Sequence, residues 1–392
     1  MMKDIPVNGL QVGSMYTEPV YIEENNLLVP AGIAIRKKDI QRLVAWGIET
    51  VHTEGVIAPP GTKFGEKGAV LPGGAAGEAL KSFPLPQAPE NQEAHRLYIG
   101  LIDGLDDVFN DIIDERRIDV RAIDILVDRL IQAVREQRQS MIGYILGEEV
   151  VGRDSAKSAV NTAILSCLIA TEFKALNQKS LQIVTGALLH DVGMLRLPRQ
   201  LLDTPERLSG TELRQMQTHP PASYKIVCKE LLYPQGVGMV VLQHHEHWDG
   251  TGYPQGLAGA KIDPGARIVS VADAFDAMIS KKPYRESMIG YQAMKNLLAD
   301  NSRCFDPTVL KVFIKTMGIY PIGSFVLLSN RAIARITEVR TDAPMRPKVC
   351  LVVDESGKAL PKDQTVFLDL LNEKKLFIVR ALDPREFAKH HE

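Results

Sequence analysis

Between Ile57 and Gln92 one residue in three is glycine or proline, including Pro59-Pro60-Gly61 and Pro72-Gly73-Gly74. Regular structure does not tolerate that density. Proline removes a backbone donor and fixes φ, and glycine loses the most conformational freedom when it is ordered. Residues 57–92 therefore read as a linker, and the chain cannot be organised around one continuous core. Its 392 residues point the same way, because they exceed the size at which a single core stays efficient. Ahead of the linker, residues 1–56 read as a small α/β unit: strands around Ser14–Ile22 and Asn26–Pro30, a helix from Lys37 to Trp46, and a strand at Thr50–His52. A unit this small is expected to regulate rather than catalyse.

After the linker, Tyr98, Leu101, Ile102, Leu105, Val108, Phe109, Ile112 and Ile113 recur at three- and four-residue steps, which is one apolar stripe of a helix. A second stripe runs through Ile123, Leu126, Val127, Leu130, Ile131 and Val134, and the polar Glu115-Arg116-Arg117 marks a turn between the two. Residues 93–146 are thus expected to form a helical hairpin. Two readings of it stand: a cap on the next domain, or a homodimerisation pair. Residues 147–317 keep a helical pattern, broken at Pro198, Pro220-Pro221 and Pro264-Gly265. In residues 318–392 the pattern shortens to Val- and Ile-rich stretches at Ser324–Leu328, Ala332–Val339, Lys348–Val353 and Leu376–Arg380. The expectation is a multidomain, mainly α protein: a helical bundle flanked by a small N-terminal α/β unit and a small C-terminal β domain.

With 46 basic against 48 acidic residues, net charge is −2, so nothing global selects duplex nucleic acid or an anionic membrane. No apolar run approaches the roughly 20 residues of a membrane span. The four cysteines, Cys167, Cys228, Cys304 and Cys350, are dispersed without a CxxC pair, which fits reduced thiols in a cytoplasmic setting.

Five of the nine histidines fall between residues 190 and 247. His190-Asp191 closes an apolar helical run, His219 follows 29 residues later, His244-His245 begins another 25 on, and Asp273 lies 28 beyond His245. Singly, each has an ordinary structural explanation. Together, four separated elements offer imidazole and carboxylate at helix ends or faces, where a bundle can point them inward. That donor set suits a first-row metal such as iron or manganese, and the lack of thiolate argues against structural zinc. Two ions roughly 3.5–4 Å apart would suit in-line attack on a phosphodiester.

The run His244-His245-Glu246-His247-Trp248-Asp249-Gly250-Thr251-Gly252-Tyr253-Pro254 resembles the HHExxDGxGYP signature of HD-GYP domains. Leu188-Leu189-His190-Asp191-Val192-Gly193 is similar to that family's HDxG core, and Ala266 to Ala277 to its late aspartate helix. Lys282-Pro283-Tyr284-Arg285 and Phe305-Asp306-Pro307 continue the likeness, which covers about residues 147–317. The resemblance implies an HD-superfamily bundle holding two or three divalent ions and hydrolysing cyclic di-GMP. It further implies one ion on His190, Asp191 and Asp273, and a second on His219, His244 and His245, with Asp191 bridging. Tyr253 and Pro254 would shape the pocket rim, with Gly252–Pro254 offering a face to a signalling-protein partner. Lys282 and Arg285 would contact phosphate or guanine, or else form only an exposed basic patch.

Two positions depart from the family pattern. Val160-Asn161-Thr162-Ala163 matches the segment that follows an upstream metal-binding histidine, which puts Ser158 in the histidine's place. Asp154, one turn earlier, is either a ligand for a third ion or an acid favoured by the helix dipole. Met194 stands where the family carries a lysine, and losing such a contact typically costs about 2.7–4 kcal/mol of transition-state stabilisation. The leading expectation is a metal-dependent cyclic di-GMP phosphodiesterase, slowed by these changes. The alternative is a degenerate module that senses the nucleotide or docks a partner.

Overall fold

The structure is a computed structural model that describes residues 3–22, 27–29, 34–45, 48–59, 92–147, 150, 152–174, 177–202, 209–280, 288–299, 303–340, 342–361, 366–373 and 375–383. Most of the expected linker, and both Lys282 and Arg285, lie outside the described residues. The chain separates into two compact units, one made of Met1–Pro84 with Gly318–Glu392 and the other of Leu85–Met317.

In the first unit, β1 (Lys3–Pro6), β2 (Val20–Tyr21), β3 (Leu27–Val29) and β4 (Thr50–Thr53) form an antiparallel sheet in the order β1-β4-β2-β3, accompanied by α1 (Lys37–Ala45). Its core gathers Val20, Val29, Ile35, Leu43 and Val51. The C-terminal part is all β: β5 (Phe325–Leu328), β6 (Ile333–Glu338), β7 (Lys348–Val353), β8 (Phe367–Asp369) and β9 (Ile378–Leu382), ordered β8-β7-β6-β5-β9 with every pairing antiparallel. Strands β1 and β8 have no counterpart in the sequence reading. Both are short, β1 mostly exposed and β8 half-buried at two of its three positions, so neither alternates apolar with polar residues over a readable length.

The second unit is a helical bundle. Helices α2 (Gln92–Ile113) and α3 (Val120–Glu136) form the expected hairpin, and Asp119 caps α3 by accepting from the Arg121 amide at 3.0 Å. Their apolar stripes are buried apart from the exposed Ile113 and the half-buried Ile131, and they pack against each other and against the bundle helices. After α4 (Arg138–Gly147) comes α5 (Asp154–Glu172), which buries nearly every residue from Ala156 to Ala170 and is therefore the central helix. Around it lie α2, α3, α6 (Asn177–Leu189), α11 (Pro264–Ile279) and α13 (Pro307–Met317). Between them the chain adds the short α7 (Arg199–Leu202), α8 (Gly210–Met216), α9 (His219–Lys225), α10 (Gln235–Gln243) and α12 (Gly290–Leu298). Helix α11 starts sharply, with Pro264 in its first turn and the Asp263 carboxylate accepting from the Gly265 and Ala266 amides at 2.7 and 3.3 Å.

Helices α6 and α10 approach closely at Gly186, where an added Cβ would come within 2.5 Å of Val240 Cγ1. Replacing Gly186 by Ala should overpack this contact and cost about 1–3 kcal/mol. A lowered urea midpoint, followed by far-ultraviolet circular dichroism, is the expected result. An unchanged midpoint would mean that the two helices do not pack here.

Candidate metal centre

Helix α6 delivers His190 and Asp191 at its C-terminal end, α9 begins at His219, α10 runs into His244 and His245, and α11 carries Asp273. Four segments of sequence are thus joined at one point. The join is tight because Gly193, in the 3-10 turn Val192–Arg196 after Asp191, donates its amide to Ser223 Oγ at 2.8 Å. Any side chain at 193 would fall on the His219 carbonyl oxygen, so glycine is what lets that turn lie against the start of α9.

Three of the imidazoles are oriented by the same device. Nδ1 of His190, His219 and His244 contacts the carbonyl of Ala187, Met216 and Val241 at 2.7, 2.8 and 2.8 Å. A carbonyl only accepts, so each Nδ1 carries the proton, and in the neutral ring each Nε2 presents its lone pair. All three Nε2 atoms and Asp191 Oδ1 are buried without an aligned hydrogen-bond partner. Four such orphans in one place would be costly in a site built only from protein.

They converge on Asp191. Its Oδ1 lies 3.1 Å from His219 Nε2 and 3.6 Å from His244 Nε2, and its Oδ2 lies 3.5 Å from His190 Nε2. His190 Nε2 is also 3.5 Å from Asp273 Oδ1. Ligand atoms of Asp191, His219, His244 and His245 all fall within 4.8 Å of one another. The donor set fits a divalent cation: neutral nitrogens and carboxylate oxygens, with second ring nitrogens already fixed by backbone.

The charges respond as expected of such a cluster. Desolvation alone would raise the Asp191 carboxyl, but His190, His219 and His244 outweigh it and hold it well below the usual carboxylate range. Asp273 is likewise lowered, the facing His190 prevailing over desolvation. For His190, desolvation opposes the charge, yet Asp191 and Asp273 raise it to about 9. Burial lowers His244, and burial together with the His244 charge holds His245 well below the ordinary histidine value. The Asp191 side chain remains 39% exposed, so the cluster opens to solvent on one side.

The signature loop supports this arrangement. Tyr253 stacks on His245 with ring centroids 4.8 Å apart, and its amide donates to the His245 carbonyl at 3.1 Å. At Gly252 a Cβ would strike the backbone of residues 245–247, so the turn can fold back over the histidines only with glycine there. Glu246 is buried and accepts from the amides of Gln255 and Leu257 at 2.6 and 2.9 Å, which ties down the far side of the loop. Tyr253 is half-buried, while Pro254 is exposed.

Among the other candidates, Asp154 is exposed in the first turn of α5 and is not a member of the four-residue cluster. Met194 is half-buried in the turn after Asp191. Ser158 donates to Asp276 Oδ2 at 2.6 Å. Sequence reasoning missed Glu246, Ser223 and Asp276. Glu246 sits inside the quoted motif, but nothing in a single sequence separates a loop-holding carboxylate from a ligand.

Comparison with known proteins agrees with this architecture. Residues 122–309 match the HD domain family, and residues 325–390 match a KOW domain associated with HD domain. Over 228 residues the chain is 30% identical to "Cyclic di-GMP phosphodiesterase PdeB" of Borreliella burgdorferi, covering 58% of this chain and 60% of that protein. It is 32% identical over 196 residues to "Cyclic di-GMP phosphodiesterase response regulator RpfG" of Xanthomonas campestris pv. campestris, covering 48% and 52%. It is also 36% identical over 146 residues to "3'3'-cGAMP-specific phosphodiesterase 1" of Vibrio cholerae, covering 36% and 33%. The chain thus spans less than two thirds of the length of each of these relatives. The candidate metal-ligand cluster lies wholly inside the first matched region, and the chain carries an HD domain followed by a KOW domain of the associated kind.

Proposed function

We propose that the HD domain is a metal-dependent phosphodiesterase that hydrolyses cyclic di-GMP in bacterial second-messenger signalling. The observation that carries this reading is the convergence of three buried, unpartnered imidazole nitrogens on Asp191, whose own Oδ1 is likewise buried and unpartnered. Asp191 would bridge, with His190 and Asp273 completing one subsite and His219, His244 and His245 the other. Iron or manganese suits these donors. When bound, two such ions supply Lewis acidity toward the scissile phosphate and lower the pKa of water.

The chain's own residues do the rest. The Nδ1 contacts to carbonyls keep each ring in the ligating tautomer, and Tyr253 braces His245 from the rim. Lys282 and Arg285 are assigned to the anionic substrate, where two cations would neutralise two phosphates. Asp154 is retained as a candidate for a third ion, and the exposed Pro254 with its loop as a docking face for a signalling protein. A homodimer through residues 93–146 would have to use faces other than the two apolar stripes, which are buried in the bundle. No described helix is long and apolar enough to cross a membrane, and a cytoplasmic setting fits the four free cysteines.

A second reading, a cyclic-dinucleotide sensor without turnover, is favoured by Met194 in place of a cation and by Ser158, whose hydroxyl is bound to Asp276. The two are separated by purifying the chain with ferrous iron or manganese and assaying cyclic di-GMP cleavage beside Asp191→Ala. The phosphodiesterase reading expects linear dinucleotide or GMP from the wild type. It also expects loss of metal by more than the roughly 10–100-fold typical of outer-shell changes in the variant. Micromolar binding with no product above the variant would establish the sensor instead.

A pH dependence follows from His190. Without metal its ring holds a second proton, on Nε2, up to about pH 9, whereas ligation through Nε2 requires the neutral ring. Loading near neutral pH should therefore release a proton, and affinity for this subsite should rise with pH and level off above about pH 9. Calorimetry in two buffers of different ionisation enthalpy counts that proton. Metal uptake without proton release would contradict the assignment of His190.

A further inference from the structure

Asp276 lies three residues after Asp273, on the same side of α11, and is fully buried. Both of its oxygens are held from α5. Ser158 Oγ donates to Oδ2 at 2.6 Å, and Asn161, one turn further along, donates through Nδ2 to Oδ1 at 2.8 Å. Ser280 Oγ adds a third bond to Oδ2 at 3.2 Å. Asn161 is itself fixed: Tyr98 of α2 donates its hydroxyl to Asn161 Oδ1 at 2.7 Å, so only the amide nitrogen can face Asp276. Tyr98 is fully buried and stacks on Tyr144 with centroids 5.4 Å apart.

This chain of bonds joins three helices in the order α2, α5, α11. Two donors one turn apart on α5 grip two oxygens of one carboxyl group on α11, so the contact resists both sliding and rotation of α11. A satisfied buried network of this kind fixes geometry, and a half-satisfied one is expensive. Asp273 stands one turn away and faces His190 at 3.5 Å. A metal ligand must be held to about 0.5 Å, which its own backbone does not ensure.

We propose that Asp276 is a positioning residue for the subsite of His190 and Asp273, and that Tyr98, Asn161 and Ser158 hold it in place. Ser158 is then a donor to the clamp rather than a lost ligand. The subsite keeps its geometry through α11, and through Asn161 and Asp276 the first helix of the bundle bears on the metal centre. The inference rests on the metal-centre reading above and deepens it.

The test is a manganese titration of the full chain by calorimetry, with melting of the metal-free protein measured in parallel. Tyr98→Phe removes one oxygen, three side chains away from the ligands, and Asp276→Asn removes the gripped carboxyl. His219→Ala, which takes a donor from the other subsite only, assigns the binding steps. Both variants should weaken the His190–Asp273 step about tenfold, the scale of an outer-shell change, and leave the other step unchanged. General loosening would not single out one step. If both steps weaken alike, or neither does, the clamp is overturned while the metal centre stands. A wild type that takes up no pair of ions would remove the metal centre and the clamp with it. Should Asp276→Asn fail to fold, Tyr98→Phe alone decides between these outcomes.

Discussion

The two oxygens of Asp191 face different partners, and this division organises the helical unit. Oδ1 is sealed among His219 and His244, and Oδ2 faces His190, which in turn faces Asp273. Gathering so many ligating atoms where water is largely excluded opposes folding unless something charged and divalent satisfies them. The helices are therefore arranged against a local penalty, and the metal-free chain should be the less stable form. The large apolar surface around α5 is what can offset that penalty, since the central helix is buried along almost its whole length.

Around this centre the protein fixes each candidate ligand from behind. Backbone carbonyls one helical turn upstream set three rings, Tyr253 covers a fourth, and Glu246 anchors the loop that carries Tyr253. Asp273 has no such carbonyl behind it, and the polar contacts of Asp276 on the next turn of α11 provide the corresponding restraint. Rigid elements and their outer contacts thus carry the precision, while the exposed part of Asp191 leaves the cluster open to solvent on one side.

Much of this was legible in the sequence, for a physical reason. Ligands must come from residues with lone pairs, and in a bundle they must sit at helix ends or on inward faces, so His190, His219, His244 and Asp273 stood out by type and place. The apolar stripes of α2 and α3 were readable because a helical period survives over several turns. What was not legible depends on long-range pairing. Whether Ser158 ligates a metal or donates to a carboxyl is decided 118 residues away, at Asp276. Strands β1 and β8 exist because neighbours pair with them, and their own four and three residues carry no signal.

The central claim is that two neighbouring ions share Asp191. Anomalous scattering from crystals grown with manganese tests it directly. The account predicts two peaks roughly 3.5–4 Å apart, one contacting His190 and Asp273, the other His219, His244 and His245, with an Asp191 oxygen on each. A single peak distant from Asp191, or ions bound by exposed carboxylates with the histidines uninvolved, would contradict it.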